Sequence, residues 1–220
     1  MSAIHAIGIT AVAVVDDEEG SRTSMGWVLS DAELRAVPIV GPLQDLEDAF
    51  RKVTAESHGM VCDHHLNVRN YARFSGARLV SFATRNQFPA ILCTRYNGSD
   101  IDVIRPLLPD IPVVLRPDEI NEPDEVHRAF RDCKAELDGK VSPERKAWRA
   151  QIVIERIDDE RKVVDLAVPA WTLEESIRLR FEDIPAAVRP QIAVGFRTHA
   201  YVNLGAESPD ALFVKWSRRG

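Results

Sequence analysis

The chain has 220 residues, 45% of them hydrophobic and 28% charged, a composition that suits one large globular domain or two modest ones and excludes disordered and collagen-like classes. No run of about 18 apolar residues is present to span a bilayer, so no membrane association is expected. Net charge is −6 and uneven: residues 1–140 carry 15 Lys and Arg against 22 Asp and Glu, and residues 141–220 carry 13 against 12. The acidic part argues against nonspecific nucleic-acid binding.

The apolar stretch Ala3 to Val15 has no preceding basic region and runs directly into Asp16, Asp17, Glu18 and Glu19, unlike a secretory signal. Cys62, Cys93 and Cys133 are too few and too scattered for a disulfide framework or a CxxC metal knuckle. A cytoplasmic protein with small, buried thiols is expected.

From residue 9 onward, apolar runs of strand length alternate with amphipathic stretches of helix length. Ile9 to Val15 predicts a strand, Gly20 to Ser30 a helix, and Ala36 to Val40 a strand closed by Gly41 and Pro42. Leu43 to Ala55 predicts a helix with Leu43, Leu46, Phe50 and Val53 on one stripe. Met60 to Cys62 is a third strand ending at Asp63, followed by a polar loop and a helix over Ala77 to Asn86. Ala90 to Cys93 and Ile111 to Leu115 are the fourth and fifth strands, with a short helix near Ile101 to Leu108 between them. Pro123 to Leu137 completes the pattern, placing Val126, Phe130 and Cys133 on a sheet-facing side from which a homodimer contact could extend. Strict alternation implies an α/β domain with a five-stranded parallel sheet covered on both faces.

Asp138 to Pro143 is the expected boundary, giving domains over 1–140 and 141–220. Beyond it, strand-like segments at 151–157, 162–168, 176–181, 196–203 and 212–216 predict a small, mostly antiparallel β-barrel of SH3-like or OB type, with Asp158 to Glu160 at a hairpin tip. Trp171, Phe181, Phe196, Tyr201, Phe213 and Trp216 are expected to fill its core rather than to form a base-stacking platform. Arg218 and Arg219 form a basic tip too short to define a site. No helix-turn-helix, wing or basic helix is visible, so nucleic acid is not an expected partner.

Ligands of open parallel sheets bind beyond the carboxyl ends of the strands. In a flavodoxin-like strand order those ends bring together Asp16, Asp17, Asp63, Thr94 and Arg116. Three carboxylates in one place repel unless protons or a cation compensate them, and Mg²⁺ with its preference for oxygen ligands suits the cluster. The third carboxylate is then free to act as a nucleophile toward a phosphoryl donor, with Thr94 placed to hydrogen-bond the product. His64 and His65 follow Asp63 without metal-ligand spacing, and Tyr71, Arg69 and Arg73 sit in the following loop; all are expected to be solvated loop residues.

The acidic pair in VVDDEE, the Asp of MVCDHHL, the Thr of ILCTRY and the basic residue with proline in VLRPDE resemble, in order, the receiver domain of bacterial response regulators over roughly residues 9–137. The resemblance implies Mg²⁺ binding by Asp16 and Asp17 together with Asp63, phosphorylation of Asp63, a switch role for Thr94, and a histidine kinase or other phosphodonor as partner. Arg116 stands where the family has a lysine, and a planar guanidinium fork is not equivalent to an ammonium point charge. Arg95 also follows Thr94 where a small residue is common. These departures leave a second reading open, a phosphorylation-independent pseudo-receiver adaptor that assembles a protein complex. A haloacid-dehalogenase-like phosphohydrolase is disfavoured because VVDDEEG lacks the DxD spacing. No enzymatic activity is expected beyond phosphorylation and dephosphorylation of the chain itself.

Overall fold

The computed structural model describes residues 8–67, 70–95, 98–172 and 174–216. The chain divides into two compact units, one of residues 1–96 and 110–140, the other of residues 97–109 and 141–220. Arg69, Arg218 and Arg219 lie outside the described residues.

In the first unit, β1 (Ala11–Val15), β2 (Arg35–Pro38), β3 (Gly59–Asp63), β4 (Ala90–Cys93) and β5 (Val113–Leu115) form one sheet in the order β2-β1-β3-β4-β5. All four pairings are parallel. β1 is buried at all five positions and β4 at all four, the pattern of strands covered on both faces, which is why their sequences read as unbroken apolar runs. Helices α1 (Glu19–Asp31), α2 (Leu46–Thr54), α3 (Gly76–Arg85) and α5 (Pro123–Leu137) connect or follow the strands. Leu29 of α1 and Val126, Ala129 and Phe130 of α5 share a core with Val12, Val14, Val61 and Ile91. α3 packs against β3 and β4, and α2 against α3 through the edge-on ring pair Phe50–Phe82, 5.5 Å apart.

Local sequence explains the helix ends. The Asp45 side chain caps α2 by accepting the Asp48 N–H at 2.7 Å, and Pro123 opens α5 with Asp124 and Glu125 in its first turn. α5 stops where Gly139 adopts φ +85° and its N–H reaches the Glu136 carbonyl at 2.9 Å.

The second unit is a five-stranded antiparallel sheet curled into a half-barrel, in the order β10-β9-β6-β7-β8. Its strands are β6 (Trp148–Asp158), β7 (Val163–Ala167), β8 (Ser176–Arg180), β9 (Arg197–Val202) and β10 (Val214–Lys215). The long β6 pairs with β9 through Trp148–Val153 and with β7 through Val153–Asp158, and a register shift at Ile154/Arg156 bends it between the two partners. The core holds Ile152, Ile154, Val164, Leu166, Ile177, Leu179 and Val202. Trp171, Phe181, Phe196 and Trp216 pack on it as expected and Phe213 is buried, but Tyr201 is 42% exposed because its position on β9 faces outward.

Residues 97–109 differ from the expected division, which assigned them to the first domain. They contain α4 (Gly98–Ile104) and most of a 3-10 turn at Arg105–Asp110, and they fold with the half-barrel. The buried Arg105 donates to the carbonyls of Pro209, at 2.6 Å, and Leu212. Arg145 donates to the Leu108 carbonyl at 2.9 Å, and Asp102 feels the charges of Arg178, Arg105 and Arg180.

Candidate phosphoacceptor site

Strand register builds the site. Val15 is level with Cys62, Asp63 with Cys93, and Cys93 with Leu115. Asp16, Asp63, Thr94 and Arg116 therefore stand at or one residue beyond the carboxyl ends of four adjacent strands, and Asp17 follows Asp16. Asp17 and Thr94 are buried, Asp16 and Asp63 half-buried, and Arg116 exposed.

Burial is the main force on both half-buried carboxyls. Asp63 is pushed up to about 6, first by desolvation and then by the negative charge of Asp16, against the opposing N–H bond from His65 at 2.7 Å. Asp16 is raised in the same direction by desolvation, against the Glu18 N–H that it accepts at 2.8 Å, with Asp17 and Glu18 adding repulsion. The same two carboxylates act on the flanking thiols: Cys93 is pushed up to about 12 and Cys62 well above its ordinary value, chiefly by burial and then by Asp63. Both cysteines are inert core residues, as the sequence reading holds.

Asp16 and Asp63, oxygen donors whose ionised form is disfavoured by burial and, for Asp63, by the Asp16 charge, suit a divalent cation, which would relieve both penalties.

Thr94 is fixed by its own N–H, which donates to the Leu115 carbonyl at 3.0 Å. The Arg116 N–H donates to Glu119 Oε2 at 2.7 Å, which ties the β5 end to the following turn. The charges that bear most on Asp63 are Asp16 and His65, and Arg116 is not among them. Asp16 is thus the strand-end group that acts on Asp63, while Thr94 is tied to the end of β5 beside Arg116.

Three features escaped the sequence reading. Tyr71 is buried rather than a solvated loop residue: its hydroxyl donates to the Ile39 carbonyl at 2.7 Å and lies against the Asp16 backbone N–H. The Leu43 N–H returns to the Tyr71 carbonyl at 2.7 Å, so the loop after β3 is laced to the loop after β2. Arg22 stands 5.8 Å from the Tyr71 ring centroid and donates to the Asp16 carbonyl at 2.5 Å, bracing the end of β1. His64 is likewise buried, whereas His65 is exposed as expected. Finally, a Cβ on Gly76 would lie 1.7 Å from the Asp63 carbonyl oxygen, so only glycine lets α3 begin against the strand end that carries Asp63. SGAR, a serine-glycine pair opening an amphipathic stretch, was the available signal for this contact.

No protein-family model matches the sequence, and no curated protein matches it. Among solved structures, the chain is similar to a response-regulator receiver domain from Clostridium thermocellum, with 11% identity, a TM-score of 0.44, and coverage of 59% of this chain and 97% of that one. The first part of the chain is similar to receiver domains. A signal receiver domain of a LuxO repressor protein from Vibrio parahaemolyticus gives 16% identity, a TM-score of 0.43, and coverage of 58% and 94%. A response regulator from Burkholderia pseudomallei, solved with a phosphorylated aspartic acid, a calcium ion and citrate, gives 16%, 0.43, and coverage of 60% and 72%. These likenesses assign no role to any residue of this chain.

Proposed function

We propose that this chain is a response-regulator-like signalling protein in which Asp63 accepts a phosphoryl group with Mg²⁺ held by Asp16, Asp17 and Asp63. The observation that carries the reading is the half-buried Asp16–Asp63 pair at the ends of β1 and β3, with Thr94 at the neighbouring end of β4. A carboxylate oxygen of Asp63 attacks the phosphorus of a phosphodonor such as a phosphorylated histidine kinase. The bond from phosphorus to the leaving group breaks with its electron pair, and an acyl phosphate remains. Bound Mg²⁺ supplies charge neutralisation at the phosphoryl oxygens. The Thr94 hydroxyl then donates to the new phosphoryl group.

Only residues 95 and 96 separate Thr94 from the segment 97–109 that folds with the half-barrel. A shift of Thr94 is therefore passed along a very short stretch of chain into the second unit, which serves as the output element and contacts a partner. Intact-protein mass after incubation with acetyl phosphate tests the reading. One added phosphoryl group is expected with Mg²⁺, none with a chelator, and none in Asp63→Ala.

The exposed Arg116 favours one other reading, a phosphorylation-independent pseudo-receiver that assembles a protein complex. In that case Asp63→Ala leaves partner affinity unchanged.

A further inference from the structure

The outer face of the half-barrel is electrically divided. On the β7–β8 side every arginine has a carboxylate: Arg156 and Arg178 donate to Asp165 at 2.6 and 2.9 Å, and Arg180 donates to Asp183 at 2.8 Å. On the β10–β9–β6 side the inward residues Ala150, Ile152, Ala200, Val202 and Val214 leave an outward set of opposite character. Register places exposed Tyr201 in one cross-strand row between Arg149 and Lys215. The next row pairs His199 with Gln151, and the third pairs Arg197 with Val153.

No carboxylate belongs to these three rows, and Arg149, Arg197 and Lys215 make no ion pair among the described residues. At the start of β6, Trp148 is 52% exposed and carries the Lys146 ammonium 4.6 Å from its ring centroid. The even count of 13 basic and 12 acidic residues over 141–220 conceals this arrangement, which the exposed Glu155, two residues beyond Val153 on β6, borders at the third row.

We propose that the β10–β9–β6 outer face binds single-stranded nucleic acid, with phosphates on Arg149, Arg197 and Lys215 and a base stacked on Tyr201. Arg149 and Lys215 flank Tyr201 one strand away on either side, about 4.8 Å each, and Arg197 lies four residues from Tyr201 along β9, about 14 Å, so the three charges are spread over the face rather than gathered at a point. Exposed aromatic rings among cations suit unstacked bases, which a duplex does not present. Tyrosine and arginine also suit protein interfaces, so what favours nucleic acid is charge: three cations without an ion pair match the strongly positive surface that phosphates require. The proposal goes beyond the phosphoacceptor reading and does not depend on Asp63.

Fluorescence anisotropy of the full chain with labelled dT12 and rU12, without phosphodonor, tests it. Binding at 50 mM salt is expected, with log K falling against log salt at a slope of about −2 for three phosphates. Tyr201→Ala should weaken binding by about tenfold. The double variant Arg149→Ala/Lys215→Ala should bring the slope to about −0.7, while Arg161→Ala, on the β6–β7 turn, and Asp63→Ala should bind as the wild type. All substituted positions except Asp63 are exposed, and near-UV circular dichroism checks the fold. No binding up to 100 μM oligonucleotide, binding indifferent to Tyr201 and to the double variant, or a preference for an oligoglutamate peptide would each overturn the proposal. None of these results bears on phosphorylation, which the mass measurement decides separately.

Discussion

Asp16 and Asp63 are costly neighbours, since each loses hydration and the Asp16 charge raises Asp63 further. The Asp63 carboxyl is pushed up to about 6, against about 3.9 for an unperturbed aspartate. The folded chain therefore holds a proton between about pH 4 and 6 that the unfolded chain releases, so this residue's contribution to stability falls as pH rises through that window. Asp63→Asn should raise the melting temperature of the metal-free protein at pH 7.5 and flatten its decline from pH 4 to 6. After allowance for solvent screening the gain is about 1 kcal/mol. Mg²⁺ should raise the wild-type melting temperature at pH 7.5, do so less at pH 5, and leave Asp63→Asn unmoved. A thermal scan at three pH values with and without Mg²⁺ checks both statements, and a lower melting temperature for Asp63→Asn at pH 7.5 would contradict them.

At the scale of elements, the site depends on how closely α3 starts behind β3. The Gly76 N–H donates to the His64 carbonyl at 2.8 Å, and a Cβ there would collide with backbone that belongs to the site itself. Gly76→Ala should cost about 2 kcal/mol in urea unfolding and should weaken Mg²⁺ binding at the same time. A variant of wild-type stability would show that the junction has room. The strands of the first unit were legible in the sequence because a parallel strand buried on both faces is a short apolar run, and its last residue marks the edge where polar groups begin. That is why Asp16, Asp63, Thr94 and Arg116 could be assigned to strand ends before the fold was known. Tyr71 was not legible: its burial depends on a loop meeting another loop, at Ile39 and Leu43, and neither periodicity nor composition encodes that pairing. Tyr201 was misread for the opposite reason, since an aromatic in a strand signals β structure but not which face it takes.

At the scale of the whole molecule, the membership of residues 97–109 matters most. The sequence shows a short amphipathic helix there, in the place a fourth helix of an alternating domain would occupy, and nothing local reveals that its packing partners lie about a hundred residues later in the chain. Arg105 makes the connection physical: its buried guanidinium serves the carbonyls of Pro209 and Leu212, which close the last turn before β10. Arg105→Ala would leave those carbonyls without their donor and should destabilise the second unit by about 3 kcal/mol, read as earlier urea unfolding of its tryptophan signal. Unchanged unfolding would show that α4 is not part of that unit's cooperative structure. Among the described residues no helix is long and apolar enough to cross a membrane. The half-barrel was anticipated as a small antiparallel β module, but its opening between β8 and β10 depends on long-range strand order that short, similar strands do not specify.

The central claim is that Asp63, and no neighbouring residue, receives the phosphoryl group. Borohydride reduction after incubation with acetyl phosphate and Mg²⁺, followed by peptide mass mapping, tests it most directly, because an acyl phosphate on aspartate is reduced to homoserine. Homoserine is expected at position 63 alone, and none when Mg²⁺ is chelated. An unmodified Asp63, or a phosphoryl group found on His64 or His65 instead, would contradict it.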